Sequence, residues 1–376
     1  MRIALDATSI PPKPVGVGNY LINLVHCLDD MELEDEIIVI VHRGSAPLFS
    51  AVSNAKIEIL SVGDKSPFRR LIWEQTHLPS LLRKHRIDVL HSPHYTIPLA
   101  SFCRRVVTFH DMTFFLFPQY HRTIKRIYFQ RMAKLSSRLA DTVIAISENT
   151  RQDILRLLKT PPQKVVTVPL GVNDEFHPIK DAMILDQVKQ AYQLPSEFFL
   201  YVGTLEPRKN VSLLLRAFQQ YQQQGGSAAL ILVGQQGWMV EHLVRQLRFS
   251  SPDDQIRWLG YVPQVDMPAL YNLALALVYP SYYEGFGLPP LEAMACGVPV
   301  ITTAVGALVE NVGDAGLLLP PNDENALAQA MLMVSRDHTL RQRLQDQGLG
   351  RAALYSWRQT AQKTLSVYRR FLPPYC

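Results

Sequence analysis

No apolar run in the sequence approaches eighteen residues, so no membrane-spanning helix is expected. The start, Met1-Arg-Ile-Ala-Leu-Asp6, turns acidic too soon for a secretory signal and reads as a first strand. Only four cysteines occur in 376 residues (Cys27, Cys103, Cys296, Cys376), and none forms a Cys-x-x-Cys pair. That scarcity argues against a structural zinc site or a disulfide framework and fits a reducing, cytoplasmic setting. Low-complexity tracts and short-period repeats are missing, as are recognition-helix, zinc-finger and RNP motifs, so nucleic acid is not an expected partner. Charged residues make up 19% against 47% hydrophobic, which excludes a disordered chain and supplies core for two domains.

The charge that is present is uneven. Residues 1–170 hold 22 Lys and Arg against 15 Asp and Glu, a balance of +7, while residues 171–376 hold 16 against 18. The excess gathers at Arg69, Arg70, Arg83, Lys84, Arg86, Arg104 and Arg105, and again at Arg122, Lys125, Arg126, Arg131, Lys134 and Arg138. Phe68, Trp73, Ile127, Tyr128 and Phe129 are interleaved with them. Two readings stay open. One is a pair of solvated helix faces. The other is a basic amphipathic surface that adsorbs to an anionic membrane, which would make the protein peripheral on the cytoplasmic face.

Apolar strand-like runs alternate with amphipathic stretches along the whole chain. Strands are expected at Ile3–Ala7, Ile37–Val41, Ile57–Leu60, Val89–Ser92, Val106–His110, Thr142–Ala145 and Val165–Val168. A second series follows at Phe199–Gly203, Leu230–Val233, Arg257–Leu259, Ala276–Tyr279, Val300–Thr302 and Gly316–Leu318. Such alternation predicts two doubly wound, parallel, Rossmann-like α/β domains. The polar passage Gly171–Pro195 reads as the linker, giving domains at 1–175 and 190–354. Helices are expected near Leu71–His85, Val240–Phe249 and Tyr355–Phe371, among others.

Candidate site residues fall just after strands, where open α/β sheets bind ligands. The run Leu275–Tyr279 leads into Glu284-Gly285-Phe286-Gly287-Leu288-Pro289-Pro290, with Glu292 seven residues beyond Glu284. The prolines suit a helix's first turn and Gly297 its end, which puts Glu292 in that first turn near unpaired N–H donors. Carboxylates beside free amides can hold a polyhydroxylated, phosphorylated ligand. The same spacing also arises from a solvated glutamate and a dipole-favoured one. Thr204-Leu-Glu206-Pro207-Arg208-Lys209-Asn210 precedes another helix, and its two cations could clamp a diphosphate. Asp6 is followed by Gly16 and Gly18, which suit close backbone approach or equally a turn and helix cap. The Gly-x-Gly-x-x-Gly dinucleotide fingerprint is incomplete there, since position 21 is Leu. His110 ends a strand and could donate to a sugar oxygen, with Asp111 beside it. His94 and Tyr95 are weaker candidates for an acceptor side, or structural. His91-Ser-Pro-His94 has no carboxylate or cysteine frame to suggest metal.

The block Glu284-Gly-Phe-Gly-Leu-Pro…Glu292-Ala-Met-Ala-Cys-Gly-Val-Pro-Val resembles the signature of the family 4 (group 1) retaining glycosyltransferases, which have the GT-B fold. Gly203-Thr-Leu-Glu-Pro-Arg-Lys209-Asn210 is similar to a second element of that family. The resemblance implies two domains facing a central cleft, with the last helix, 355–376, crossing back to the first. It implies a nucleoside-diphosphate sugar as donor, no metal cofactor, and a saccharide or lipid-linked acceptor. Glu284 would then position the transferred hexose, Glu292 the ribose, and His110 the donor sugar. Backbone at Tyr261 and Val262 would meet the nucleobase. The mechanism it implies has the acceptor attack from the leaving-group face, with a donor phosphate oxygen taking the proton. The stretch His110-Asp-Met…Phe117-Pro118 is further similar to bacterial mannosyl and related hexosyl transferases of surface polysaccharide assembly, which implies GDP-mannose. A sugar-nucleotide epimerase or glycan phosphorylase of the same fold is the alternative.

Overall fold

The computed structural model describes residues 1–12, 16–64, 66–248 and 255–371. Pro14 and Val15 of the glycine loop, the Phe249 end of one expected helix, and Cys376 with the end of the tail lie outside the described residues.

Two all-parallel sheets carry the fold. The first contains β1 (Arg2–Asp6), β2 (Glu36–His42), β3 (Ile57–Val62), β4 (Val89–Ser92), β5 (Arg104–Phe109), β6 (Thr142–Ala145) and β7 (Val165–Thr167). The second contains β8 (Phe198–Val202), β9 (Ala229–Val233), β10 (Ile256–Gly260), β11 (Ala276–Tyr279), β12 (Val300–Thr303) and β13 (Leu317–Leu319). Their orders are β3-β2-β1-β4-β5-β6-β7 and β10-β9-β8-β11-β12-β13. The central strands are inaccessible on both faces, as at Ile3, Ala4 and Leu5 or Leu277, Val278 and Tyr279. That is why they read as continuous apolar runs and not as alternating ones. Each order reverses once, between β1 and β4 and between β8 and β11. Helices on either side of a reversal cover opposite faces of the sheet, so the loops there splay apart and leave a crevice beyond the strand ends.

The chain forms two compact units. One comprises Met1–Gly171 with the chain from Ser356 on; the other is Val172–Tyr355. In the first unit the helix Trp357–Arg369 packs against the helix Val17–Asp29. Its Tyr368 hydroxyl lies 2.6 Å from His91 Nδ1, and Thr360 Oγ1 donates to the Pro169 carbonyl at 2.7 Å. Arg369 pairs with Asp35, which also holds the Met1 ammonium.

Several segments differ from the sequence reading, three of them long. The passage read as linker contains the helix Ala182–Ala191, capped by the Asp181 side chain and packed on the helix Met267–Leu273 of the second unit. The helix expected over Leu71–His85 is two, Pro67–Thr76 and Leu78–Lys84, because Pro79 fits only the first turn of a new helix. A fifteen-residue helix, His338–Ala352, was not expected.

Gly171 lies against the returning chain, and a Cβ there would stand 2.1 Å from the Trp357 nitrogen. Backbone must shift to admit it, so Gly171→Ala should lower stability by about 1–3 kcal/mol, the usual cost of overpacking. Urea unfolding checks this; an unchanged midpoint would mean the segment yields freely.

Candidate active site

At the reversal of the second sheet, the loops after β8 and β11 meet. Pro207–Lys209 forms a single helical turn, and Asn210 (φ 54°) ends it before the helix Val211–Gln223. The Tyr282 N–H donates to the Arg208 carbonyl at 2.8 Å. The Arg208 guanidinium spans the gap: Nη1 reaches the Tyr283 carbonyl at 2.6 Å and Glu284 Oε2 at 2.9 Å, and Nη2 reaches Glu206 Oε1 at 2.6 Å. Lys209 Nζ donates to Glu284 Oε1 at 2.7 Å and to the Tyr279 hydroxyl, which itself donates to Glu284 Oε1 at 3.1 Å. Two cations thus face two carboxylates in a cluster that is nearly closed to water.

The backbone around Glu284 is fixed from the neighbouring strand. Thr302 Oγ1 donates to the Tyr279 carbonyl at 2.6 Å, and Thr303 Oγ1 to the Ser281 carbonyl at 2.5 Å. The Ala307 N–H donates to the Glu284 carbonyl at 3.1 Å. Gly306 (φ 53°) permits that approach, since a Cβ there would stand 2.7 Å from the same oxygen. Glu284 is only 6% exposed. Burial raises its pKa, but Arg208 and then Lys209 outweigh burial and hold it at about 2. Burial pulls the Lys209 ammonium below its ordinary value, with Glu284 opposing. The solvated alternative for Glu284 is therefore excluded.

Gly287 (φ 96°) caps the helix Leu288–Ala295, whose first turn holds Pro289 and Pro290; Gly297 (φ 71°) follows its end. Phe286 is buried, and its carbonyl accepts from Asn311 Nδ2 at 2.5 Å. Glu292 is not in the first turn as expected. The helix starts at Leu288, ahead of the proline pair, so Glu292 falls in the second turn, beyond the free N–H groups. Its Oε2 accepts from the Tyr271 hydroxyl at 2.8 Å. Burial raises its pKa to about 7 despite that bond. The two glutamates therefore have opposite characters, one held ionised and one near its midpoint at neutral pH.

The remaining candidates are dispersed. Thr204 and Gly285 lie in the same two loops, Thr204 half-buried and Gly285 buried. Tyr261 is exposed after β10, whereas the Val262 side chain is buried, which leaves Val262 only its backbone to offer a ligand. In the first unit Gly16 (φ 53°) caps the helix Val17–Asp29, and Gly18 is buried within it. His110 Nε2 lies 2.8 Å from the Pro93 carbonyl and must donate to it. Burial lowers the His110 pKa to about 4, so the neutral ring keeps Nδ1 as an acceptor, and a sugar hydroxyl would donate to it, not receive from it. Tyr95 is a core residue whose hydroxyl donates to Asp111 Oδ1 at 2.8 Å, and Asp111 also accepts from the Thr113 N–H and hydroxyl. That pair is a structural brace. His94 is different: its Nδ1 is buried with no hydrogen-bond partner. Among the described residues no group of three His, Cys, Asp or Glu could hold a metal ion.

Sequence reading missed Tyr279, Tyr271, Glu206, Asn311 and Gly306. Tyr279 and Tyr271 look like core aromatics of a strand and a helix. Only the fold shows that their hydroxyls reach the two glutamates.

The raised pKa of Glu292 has a stability signature. Below about pH 4.5 the folded and unfolded chains both hold this proton. Between about 4.5 and 7 only the folded chain does, so its contribution falls as pH rises, by up to about 3 kcal/mol. Glu292→Gln removes that loss. Its unfolding free energy relative to the parent should improve by about 1–3 kcal/mol between pH 5 and 8. A difference independent of pH would contradict the assignment.

The chain was compared with known proteins. Residues 14–176 match the family described as "Glycosyltransferase Family 4", and residues 185–351 match "Glycosyl transferases group 1". O-antigen chain mannosyltransferase B of Escherichia coli is 38% identical over 98% of this chain and 100% of that one. O-antigen chain mannosyltransferase RfbU of Salmonella typhimurium is 26% identical over 84% of this chain and 86% of its own. Among solved structures, sucrose-phosphate synthase of Thermosynechococcus elongatus superposes with a TM-score of 0.76 at 22% identity, covering 98% of each chain. Anabaena HepE in complex with UDP-glucose superposes with a TM-score of 0.79 at 19% identity, covering 98% of this chain and 100% of that one. The structural likenesses establish the GT-B fold. With a family match on each side of the residue 171–172 division and a relative similar from end to end, the chain belongs to the group 1, family 4 glycosyltransferases.

Proposed function

We propose that the protein is a retaining mannosyltransferase of O-antigen-type polysaccharide assembly, moving mannose from GDP-mannose to an acceptor hydroxyl. The observation that carries this reading is the 38% identity, over essentially the whole chain, to a mannosyltransferase so named. Relatives named as transferases favour group transfer over the epimerase and phosphorylase alternatives.

The site chemistry is consistent with that reaction. Glu284, fixed and ionised, would accept from hydroxyls of the mannose and hold its orientation. Glu292 would accept from the ribose diol, giving up its proton as it does so. Arg208 and Lys209 would stabilise charge growing on the departing diphosphate in place of a metal ion. The acceptor oxygen would attack the anomeric carbon from the face that the diphosphate leaves. The bond to the diphosphate oxygen breaks, and the acceptor proton passes to a phosphate oxygen of the donor. No side chain is needed as base. His110 Nδ1 would accept from a mannose hydroxyl. None of the described helices is long and apolar enough to cross a membrane. The basic, apolar-studded helices of the first unit support peripheral association with the cytoplasmic face of an anionic membrane.

The test is to incubate the protein with GDP-mannose, UDP-glucose or ADP-glucose, with and without a mannose-terminated oligosaccharide. Free GDP should appear from GDP-mannose only when the acceptor is present. Interconversion of a sugar nucleotide without acceptor, or sugar phosphate released by inorganic phosphate, would contradict transfer.

A further inference from the structure

Two carboxylates stand against the two cations of the site, and only Glu284 has a part in the transfer. The other is Glu206, which is 6% exposed and sits ahead of the turn Pro207–Lys209. Its Oε1 accepts from Arg208 Nη2 at 2.6 Å. Glu284 Oε2 takes the other η nitrogen at 2.9 Å, and Glu284 Oε1 takes Lys209 Nζ at 2.7 Å. The formal charge of the four side chains therefore cancels before any ligand arrives.

The loop does not need a carboxylate at 206 for its shape. Main chain anchors it: the Leu205 N–H donates to the Gln235 carbonyl at 2.9 Å, the Gly237 N–H to the Leu205 carbonyl at 2.9 Å, and the Lys209 N–H to the Glu206 carbonyl at 3.0 Å. Arg208 is fixed on its other side by the Tyr283 carbonyl and Glu284. An amide oxygen at 206 could accept from Nη2 as well as a carboxylate oxygen does. What the carboxylate adds is its charge. That charge matters to a group that must leave. A free nucleoside diphosphate has one more ionisable oxygen than its sugar-linked form, so uncompensated positive charge holds the product more tightly than the donor. In a cluster this buried, salt does little to relieve the hold. Product release limits turnover in many enzymes.

We propose that Glu206 is a positioning residue for product release: it holds Arg208 in place and offsets one of the two cationic charges, so that the nucleoside diphosphate is gripped during transfer and let go afterwards. Glu206 acts through Arg208 and takes no part in bond making. The inference rests on the reading of Arg208 and Lys209 as the diphosphate clamp and adds to it what keeps the clamp from trapping its product.

Calorimetry on the full chain tests this with GDP and GDP-mannose, in the parent, Glu206→Gln and Glu206→Asp. Glutamine keeps the shape and the acceptor oxygen and removes only the charge. GDP should then bind about threefold tighter or more, and GDP-mannose by a smaller factor, so the preference for product over donor widens. Glu206→Asp keeps the charge and should keep the preference of the parent. In turnover with a mannose-terminated oligosaccharide, GDP should inhibit Glu206→Gln at correspondingly lower concentration. A merely structural counterion would give the opposite sign, since its loss would loosen Arg208 and weaken both ligands. The proposal is overturned if GDP affinity in Glu206→Gln is unchanged or weaker, if both ligands gain equally, or if Glu206→Asp gains as much as Glu206→Gln. Glu206→Ala removes the same charge and replaces the glutamine variant should that one lack a cooperative thermal transition; failure of both to fold would make Glu206 a structural counterion and end the proposal. A parent that binds neither GDP nor GDP-mannose would contradict the donor reading itself, and this inference with it.

Discussion

The candidate site depends on one buried carboxylate, Glu284, held between the guanidinium of Arg208 and the ammonium of Lys209. A carboxylate this enclosed would ordinarily take up a proton, and the two cations prevent it. The constraint runs outward from there. Arg208 also ties down the Tyr283 carbonyl, so the ion pair and the loop backbone set each other's position. Thr302 and Thr303 on β12 tie the same loop to the sheet. Gly306 is needed because the next helix must bring a backbone N–H onto the Glu284 carbonyl. Buried ion pairs add little net stability, but they specify geometry, and here they hold an acceptor group in one orientation and ionised at neutral pH.

Glu292 is the complement. Among the described residues it pairs with no cation; its Oε2 accepts from the Tyr271 hydroxyl, and burial raises its pKa to about 7. A carboxyl poised this way can be recruited by ligand hydroxyls that favour the ionised form. One glutamate is therefore pre-set and the other set by what binds. That division suits a donor with two polyhydroxylated parts, a sugar that must be aligned for reaction and a ribose that need only be held.

Much of this was legible in the sequence, for physical reasons. Strands buried on both faces produce continuous apolar runs, and every expected strand has its counterpart in the two sheets. Glu284, Arg208 and Lys209 stood out through their place directly after strands together with the family resemblance of the blocks around them, since the charges alone also fit a solvated surface. Helices that bury little were hidden: Ala182–Ala191 buries only Val188, and His338–Ala352 buries one residue per turn, two of those four being Gly348 and Ala352. The turn position of Glu292 was misread because a proline pair marks a first turn without saying which residue opens it. The direction of the His110 hydrogen bond depends on the Pro93 carbonyl from another strand end, which no local pattern encodes.

The most direct test of the account is a paired calorimetric and kinetic comparison of Glu284→Gln and Glu292→Gln with GDP and GDP-mannose. Glu292→Gln should weaken both ligands alike, because both carry the ribose. Glu284→Gln should leave GDP affinity within about twofold, well under the 1.4 kcal/mol of a tenfold change, while turnover falls by at least tenfold. Equal loss of GDP affinity in the two variants, or full turnover in Glu284→Gln, would contradict the division of roles on which the account rests.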